Sequence, residues 1–133
     1  MTEGAARRSF RVVIAEDDPD QLTLYRLVLE QQPDLQVVAA VTDGAAAVAA
    51  VRSVEPLPDL VILDASMPRM TGVEAAAVIR EVAPGTKILI ISAEKTAHDL
   101  ALEAGADAFL PKLFDIRSFV EMVRQLCSGE ELT

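Results

Sequence analysis

The sequence predicts a doubly wound α/β domain in which five parallel strands alternate with five helices. Short apolar runs, rich in β-branched residues, alternate with stretches in which apolar residues recur every three to four positions. The 133 residues are enough for one ordinary domain with a substantial core and too few for two. Because such alternation implies right-handed crossovers, we expect a parallel sheet with helices on both faces.

The strands are predicted from short apolar runs. Three runs are almost continuously apolar, as strands covered on both faces are: Arg11–Ala15, Leu60–Leu63 and Ile88–Ile91. Two weaker runs, Leu35–Ala40 and Ala106–Leu110, are predicted to be the edge strands. Pro111, which has no backbone N–H to donate, is tolerated at an edge.

The helices are predicted from the segments between these runs, in which apolar residues recur every three to four positions. The first begins at Pro19 with Asp18 as its cap, and we expect Asp18 to have no role in metal binding. The inward faces of the other four are predicted to be Ala45, Val48 and Val51; Ala75, Val78, Ile79 and Val82; Ala97, Leu100, Ala101 and Ala104; and Ile116, Phe119, Val120, Val123, Leu126 and Cys127. The domain is expected to span residues 10–127, between tails at 1–9 and 128–133.

The charge balance limits the classes of partner. Twelve Lys and Arg against 21 Asp and Glu give a net charge of −9, and no basic run relieves it, so we expect no direct binding to nucleic acid. A single cysteine forms no internal disulfide, and the first eleven residues lack an apolar segment. We therefore expect a cytoplasmic protein that does not enter a membrane.

Polar side chains follow the predicted strands at the point where each strand ends. Glu16 and Asp17 follow the first strand, Asp64 the third and Ser92 the fourth, and Lys112 lies just past the fifth. In open α/β sheets ligands bind outside the carboxyl ends of the strands. If the first and third strands are neighbours, Asp17 and Asp64 point into one small space.

Carboxylates in such a space need a cation. Two of them at about 4 Å repel by roughly 4 kcal/mol at an effective dielectric near 20. Oxygen ligands without His or Cys suit Mg²⁺ or Mn²⁺ and leave coordination positions for a phosphate. Asp64 is then a competent nucleophile toward a phosphoryl group, with Lys112 and the Ser92 hydroxyl available to bind its oxygens.

Four motifs, in order along nearly the whole chain, resemble the receiver domain of two-component response regulators, within the CheY-like superfamily. They are Glu16-Asp17-Asp18-Pro19, Asp64-x-x-Met67-Pro68-x-Met70-x-Gly72, Ser92-Ala93 and Gly105-Ala106-Asp107-x-Phe109-x-x-Lys112. The resemblance implies a flavodoxin-like (βα)5 fold with strand order 2-1-3-4-5. It also implies that the chain catalyses nothing beyond its own phosphorylation and autodephosphorylation.

The resemblance assigns roles to individual residues. Asp64 is the expected phosphoacceptor, paired with Lys112, and the expected switch residues are Ser92 and Phe109. The expected ligands of Mg²⁺, with Mn²⁺ as a substitute, are Asp17 and Asp64 directly, Glu16 through water and the backbone carbonyl of Ser66.

The resemblance also implies partners. The phosphoryl group would come from a sensor histidine kinase or a phosphotransfer protein. Phosphorylation would remodel the face made by the fourth helix, fifth strand and fifth helix, around 95–103 and 116–124, to control an output domain, a partner or a homodimer.

The sequence departs from the family pattern beside Lys112. Leu113 stands where the family often has a proline joined by a cis bond, and we expect a trans bond because a non-proline cis bond costs about 2.5–4 kcal/mol. Ser92 replaces the commoner Thr, and Phe109 replaces Tyr.

Three other functions are weighed against this one. A Mg²⁺-dependent phosphohydrolase with Asp64 as nucleophile would need a second acid where Ser66 stands. A flavodoxin-like electron carrier would need a phosphate-binding loop where Glu16-Asp17-Asp18 would repel the phosphate. A receiver that no longer cycles would act as a docking module.

Overall fold

The computed structural model describes residues 9–94, 97–112 and 115–129. Strands and helices alternate along it from β1 to α5. Their bounds are β1 Phe10–Ala15, α1 Pro19–Glu30, β2 Leu35–Val41, α2 Gly44–Ser53, β3 Leu60–Asp64, α3 Gly72–Val82, β4 Lys87–Ser92, α4 Ala97–Glu103, β5 Ala108–Pro111 and α5 Ile116–Ser128.

The five strands form one parallel sheet in the order β2-β1-β3-β4-β5. The predicted fold class, strand order and edge strands are confirmed, and Pro111 lies at the end of edge strand β5. Ala15 pairs with Leu63 across β1 and β3. The next residues along each strand, Glu16 and Asp64, therefore emerge side by side at the carboxyl edge of the sheet.

Two helical layers cover the sheet because its side chains alternate between the two faces. One core joins the sheet to α2, α3 and α4, and the other joins it to α1 and α5. In β1, Val13 and Ala15 belong to the first core, whereas Val12 and Ile14 belong to the second. The middle strands are buried on both faces, as their continuously apolar runs predict.

Helices α1 and α5 pack through an aromatic pair. The rings of Tyr25 and Phe119 are 5.3 Å apart at an angle of 40°, and both residues are buried. Burial, together with the nearby negative charge of Glu16, raises the pKa of Tyr25 to about 12. Arg124 of α5 donates to Asp34 at 2.8 and 3.0 Å, and this bond lowers the pKa of Asp34. Helix α5 is thus anchored to the turn before β2.

Four residues predicted to face inward are exposed in the structure. They are Ala45 of α2, Val82 of α3, Leu100 of α4, which is 58% exposed, and Ile116 of α5, which is 41% exposed. The short helix α4 buries only Ala101 among its described residues, so its small side chains make the contact with the core. Helix α5 ends at Ser128, one residue inside the predicted tail, and most of both predicted tails lies outside the described residues. In the described part of the chain, no helix has the length and apolar character that crossing a membrane requires.

Two glycines let backbone segments pack closely against each other around the loop that joins β3 to α3, residues 65–71. A Cβ atom at Gly72 would lie 2.0 Å from the backbone oxygen of Asp64, and one at Gly44 would lie 2.1 Å from that of Met70. Both distances are far below van der Waals contact. Glycine is therefore required at both positions, where α2 and α3 begin.

Replacing Gly72 with alanine tests this constraint. The added Cβ would push α3 away from the end of β3, and we expect Gly72→Ala to lower the free energy of unfolding by at least about 2 kcal/mol. Gly85→Ala is the matched control, because an added Cβ there meets nothing within 4 Å. Urea denaturation of the three proteins measures the difference. Equal stability of Gly72→Ala and the unmodified chain would contradict the predicted clash.

Candidate functional site

A cavity of about 360 Å³ opens at the carboxyl edge of the sheet. The ends of β1, β3 and β4 and the residue after β5 meet there, as expected for a parallel α/β sheet. Its lining residues are Glu16, Asp17, Asp18, Asp64, Ser66, Ser92, Ala93, Glu94 and Lys112. Six of the seven residues predicted for the site therefore line one cavity, and Phe109 is the seventh.

Three carboxylates cluster in this cavity. Glu16, Asp17 and Asp64 each offer an oxygen, and these oxygens lie within 4.8 Å of one another. Glu16 is 1% exposed and Asp64 is 6% exposed, whereas Asp17 is open to solvent. Asp18 instead caps α1 by accepting from the backbone N–H of Asp20 at 2.9 Å, as predicted.

Lys112 contacts two of the carboxylates. Its Nζ atom lies 3.0 Å from Asp64 Oδ2 and 3.2 Å from Glu16 Oε1. Burial lowers the pKa of Lys112, but the hydrogen bond and charge of Asp64, together with those of Glu16, outweigh that effect and raise it. The ammonium therefore stays charged at neutral pH.

The ionised form of Glu16 is poorly stabilised in this cluster. Burial, followed by the hydrogen bond and the charge of Asp64, raises its pKa to about 7. Its Oε2 accepts from the backbone N–H of Asp18 at 3.1 Å. Its Oε1 is buried without a hydrogen-bond partner, because Lys112 Nζ approaches within ion-pair distance but outside hydrogen-bond geometry.

These residues fit a divalent cation. When ionised, Glu16, Asp17 and Asp64 carry three negative charges, and Lys112 offsets one, so the remainder equals the charge of one divalent ion. The donors are hard carboxylate oxygens, which Mg²⁺ and Mn²⁺ prefer. The unpartnered oxygen of Glu16 has an unmet need for a positive group, which a cation or its bound water satisfies.

Two serines, Ser66 and Ser92, also line the cavity. The backbone N–H of Ser66 donates to Asp64 Oδ1 at 3.2 Å, and the Ser66 side chain is exposed. Ser92 is buried, and its hydroxyl accepts from the backbone N–H of Glu94 at 3.0 Å. The Ser92 carbonyl accepts from the N–H of Lys112 at 2.8 Å, which ties the lysine to the end of β4.

Phe109 lies outside the lining of the cavity and is partly buried against the core on the α2, α3 and α4 side of the sheet. The ring of His98 meets it edge to face, with centroids 5.2 Å apart at 86°. The sequence predicts His98 only as a surface residue at the start of α4.

Two predictions fall outside the described residues. They are the trans bond between Lys112 and Leu113, and the part of the switch face formed by residues 95–96.

The loop of residues 65–71 contains a feature that no sequence motif indicates. Met70 N–H donates to Pro68 O at 2.7 Å, forming a γ-turn whose central residue, Arg69, has a φ of 66°. This left-handed conformation costs a residue other than glycine about 1–2 kcal/mol. The Nε and Nη2 atoms of Arg69 donate to Asp43 Oδ2 at 3.1 and 2.9 Å.

Asp43 is itself held in place. It is 6% exposed, and its Oδ1 caps α2 by accepting from Ala46 N–H at 2.7 Å. That hydrogen bond, and then the bonds from Arg69, lower the pKa of Asp43. A signal for the cap exists in the sequence, because Asp43 directly precedes Gly44 and the apolar stripe of α2. No such signal identifies Arg69, which lies 26 residues further along the chain, as the second partner of Asp43.

Known proteins share the sequence pattern over most of the chain. Residues 12–124 match the response regulator receiver domain. The transcriptional regulatory protein YxjL of Bacillus subtilis is 31% identical over 124 residues, which cover 92% of this chain and 56% of that protein. The nitrate/nitrite response regulator protein NarL of Escherichia coli is 28% identical over 121 residues, which cover 90% and 55%. The chain thus spans about half the length of these curated relatives.

Solved structures share the fold. The signal receiver domain of NarL from Mycobacterium tuberculosis aligns with a TM-score of 0.82 at 32% identity, over 92% of this chain and 99% of that one. The response regulator domain of CheB from Thermotoga maritima aligns with a TM-score of 0.83 at 26% identity, over 93% and 100%. Sequence and structure agree, and this chain belongs to the response regulator receiver domain family of two-component systems.

Proposed function

We propose that this chain is a phosphorylation-switched receiver that accepts a phosphoryl group on Asp64 from a sensor histidine kinase or a phosphotransfer protein. The observation that carries the proposal is the convergence of Asp64, two further carboxylates and Lys112 on one cavity. Asp64 lies at the end of a buried strand, so its backbone is rigid while its carboxylate borders the cavity. A nucleophile held in this way reacts without first being ordered.

The transfer is an in-line displacement at phosphorus. A carboxylate oxygen of Asp64 forms the new P–O bond while the P–N bond to the kinase histidine breaks, and the freed imidazole nitrogen recovers a proton from solvent. Asp64 Oδ2 accepts from Lys112 and Oδ1 accepts from the N–H of Ser66. These two donors orient the carboxylate before the phosphoryl group arrives.

Lys112 and the metal ligands neutralise the transferred charge. The Lys112 ammonium is available to pair with a phosphoryl oxygen once the acyl phosphate forms, since Asp64 then has less negative charge to offer it. Receiver domains bind Mg²⁺ at an acidic pocket, and here Asp17, Asp64, Glu16 and the carbonyl of Ser66 would hold Mg²⁺ or Mn²⁺. Bound there, the ion would shield the phosphoryl oxygens from the carboxylates.

The output of the switch is proposed to pass through Ser92 and Phe109. The Ser92 hydroxyl accepts from Glu94 N–H and still has its own O–H to donate to a phosphoryl oxygen, so a move of the hydroxyl toward that oxygen would pull on the bond to Glu94 and shift the start of the loop before α4. Phe109 is half-buried and can turn inward as that loop moves. The face of α4, β5 and α5 would then present a changed surface to an output domain, a partner or a second copy of the chain.

Asp64 should be the acidic residue of the cavity that takes up the phosphoryl group. We expect Asp64→Asn to abolish phosphate uptake from acetyl phosphate, since an amide is not a competent nucleophile. Asp20→Asn, at an exposed position in the first turn of α1, should retain uptake. Intact-protein mass spectrometry in the presence of Mg²⁺ measures the modified fraction. Phosphate uptake by Asp64→Asn would show that another residue is the acceptor.

Mg²⁺ should stabilise the folded chain by relieving carboxylate repulsion. At about 100 times its dissociation constant the ion should raise the free energy of unfolding by roughly 2.7 kcal/mol. Asp17→Asn should lose most of this gain, whereas Asp20→Asn should keep it. Thermal denaturation with and without Mg²⁺ provides the measurement, and an equal gain in Asp17→Asn would exclude Asp17 as a ligand.

The raised pKa of Glu16 predicts a pH dependence in the absence of divalent ions. Below pH 4.5 the side chain is protonated in both states; above it the unfolded chain loses its proton first, so stability falls until about pH 7. The fall should be at most about 3 kcal/mol.

Glu16→Gln has no such titration and should show a flatter profile between pH 4.5 and 7. Urea denaturation across this interval in chelated buffer gives both profiles. Parallel profiles would mean that Glu16 ionises without penalty.

A further inference from the structure

The loop of residues 65–71 contributes Ser66 to the lining of the cavity and is held at both of its ends. At its start, Ala65 N–H donates to Ile91 O at 2.8 Å, and Ala65 O accepts from Gly72 N–H at 3.0 Å. At its far side, Met70 O accepts from Gly44 N–H at 3.1 Å, at the start of α2. The loop therefore lies between the phosphoacceptor strand and a neighbouring helix.

The centre of the γ-turn in this loop is strained. Arg69 has a positive φ, and glycine or asparagine would adopt that conformation more readily. Arginine is the poorer residue for the backbone of the turn, so any advantage it has lies in its side chain. That side chain reaches across to α2 and donates twice to the buried carboxylate of Asp43.

Asp43 joins the strained turn to a rigid element. One of its oxygens caps α2 and the other accepts both bonds from Arg69, so the carboxylate connects the turn to the first turn of a helix that is packed in the core. The low pKa of Asp43 keeps it charged. Three hydrogen bonds therefore join the loop to the start of α2: the two that Arg69 donates to Asp43 and the one that Gly44 N–H donates to Met70 O.

We propose that Arg69, acting through Asp43, is a positioning residue that holds the loop in the geometry in which Asp64 and Ser66 face the cavity. The inference rests on the proposed function, because it is the phosphoryl and cation chemistry of that cavity that the positioning serves. Ser66 N–H orients Asp64 Oδ1, and Gly72 lies against the backbone oxygen of Asp64. A loop that moves would therefore displace the Ser66 donor from the Asp64 carboxylate that it orients.

The exposure of Arg69 separates positioning from overall stability. Its side chain is 70% exposed, so the ion pair is screened by water and contributes little to the stability of the whole domain. A solely structural ion pair would change the melting temperature slightly and leave the folded site unaltered. A positioning pair changes the chemistry of the site in protein that remains folded.

Three variants test the proposal. Arg69→Ala removes the pair, Arg69→Gly removes it while relieving the backbone strain, and Asp43→Ser removes it while retaining a side chain that caps α2. We expect each to weaken Mg²⁺ binding and slow phosphorylation by acetyl phosphate at saturating Mg²⁺ by about tenfold, with melting temperatures close to that of the unmodified chain. Arg26→Ala, which removes an exposed ion pair within α1, is the charge-matched control and should alter neither.

The double variant Arg69→Ala with Asp43→Ser should lose no more than either single variant, because both act through one interaction. Amide exchange at Gly44, whose N–H is bonded to Met70 O, should rise in all three single variants. Full binding and phosphorylation in Arg69→Gly would overturn the proposal, as would additive losses in the double variant. If the unmodified chain takes up no phosphate, the proposed function fails. Amide exchange at Gly44 then tests the positioning role by itself, and unchanged exchange in Arg69→Ala overturns that role.

Discussion

Repulsion among three carboxylates at the carboxyl edge of the sheet is the constraint around which the site is organised. Two of them, Glu16 and Asp64, are buried side by side because their strands are hydrogen-bonded neighbours. Lys112 offsets part of that repulsion from the end of β5, but it leaves one Glu16 oxygen without a hydrogen-bond partner. A cluster in this condition gains free energy from any cation that reaches it. Because a phosphoryl group on Asp64 would add negative charge to the same cavity, a cation that relieves the carboxylate repulsion would favour that reaction as well.

The rest of the fold keeps these charges from moving apart. Strands buried on both faces leave the backbone beneath the cavity little freedom, and the side chains at their ends inherit that rigidity. Helices α1, α2, α3 and α5 are fixed at their starts by side-chain caps, including a reciprocal pair in which the side chains of Thr71 and Glu74 each accept the other's backbone N–H. Gly72 then brings α3 directly against the backbone of Asp64. Close packing and capping act together here, since relaxing either would let the cavity widen and the carboxylates separate.

Periodic features of the chain were predictable, and particular long-range pairings were not. The apolar runs identify the strands, and the polar residues after them identify the cavity, because a parallel sheet brings all its carboxyl ends to one edge. The inward position of Leu100 was predicted wrongly, since spacing alone does not show that a helix of seven residues packs through its alanines. The pairing of Arg69 with Asp43 and the contact of His98 with Phe109 depend on how loops fold back over the sheet. Neither local propensity nor periodicity carries that information.

The aromatic pair between α1 and α5 has a consequence for spectroscopy. The chain contains one tyrosine and no tryptophan, so its intrinsic ultraviolet fluorescence comes from the single ring of Tyr25. That ring is buried against Phe119, and its pKa is influenced by the charge of Glu16. One native fluorophore thus reports on the packing of two helices while lying within electrostatic reach of the acidic cluster. Emission from the unlabelled protein is therefore a natural signal in which to look for events at the carboxyl edge of the sheet, with no engineered probe to disturb the charges being measured.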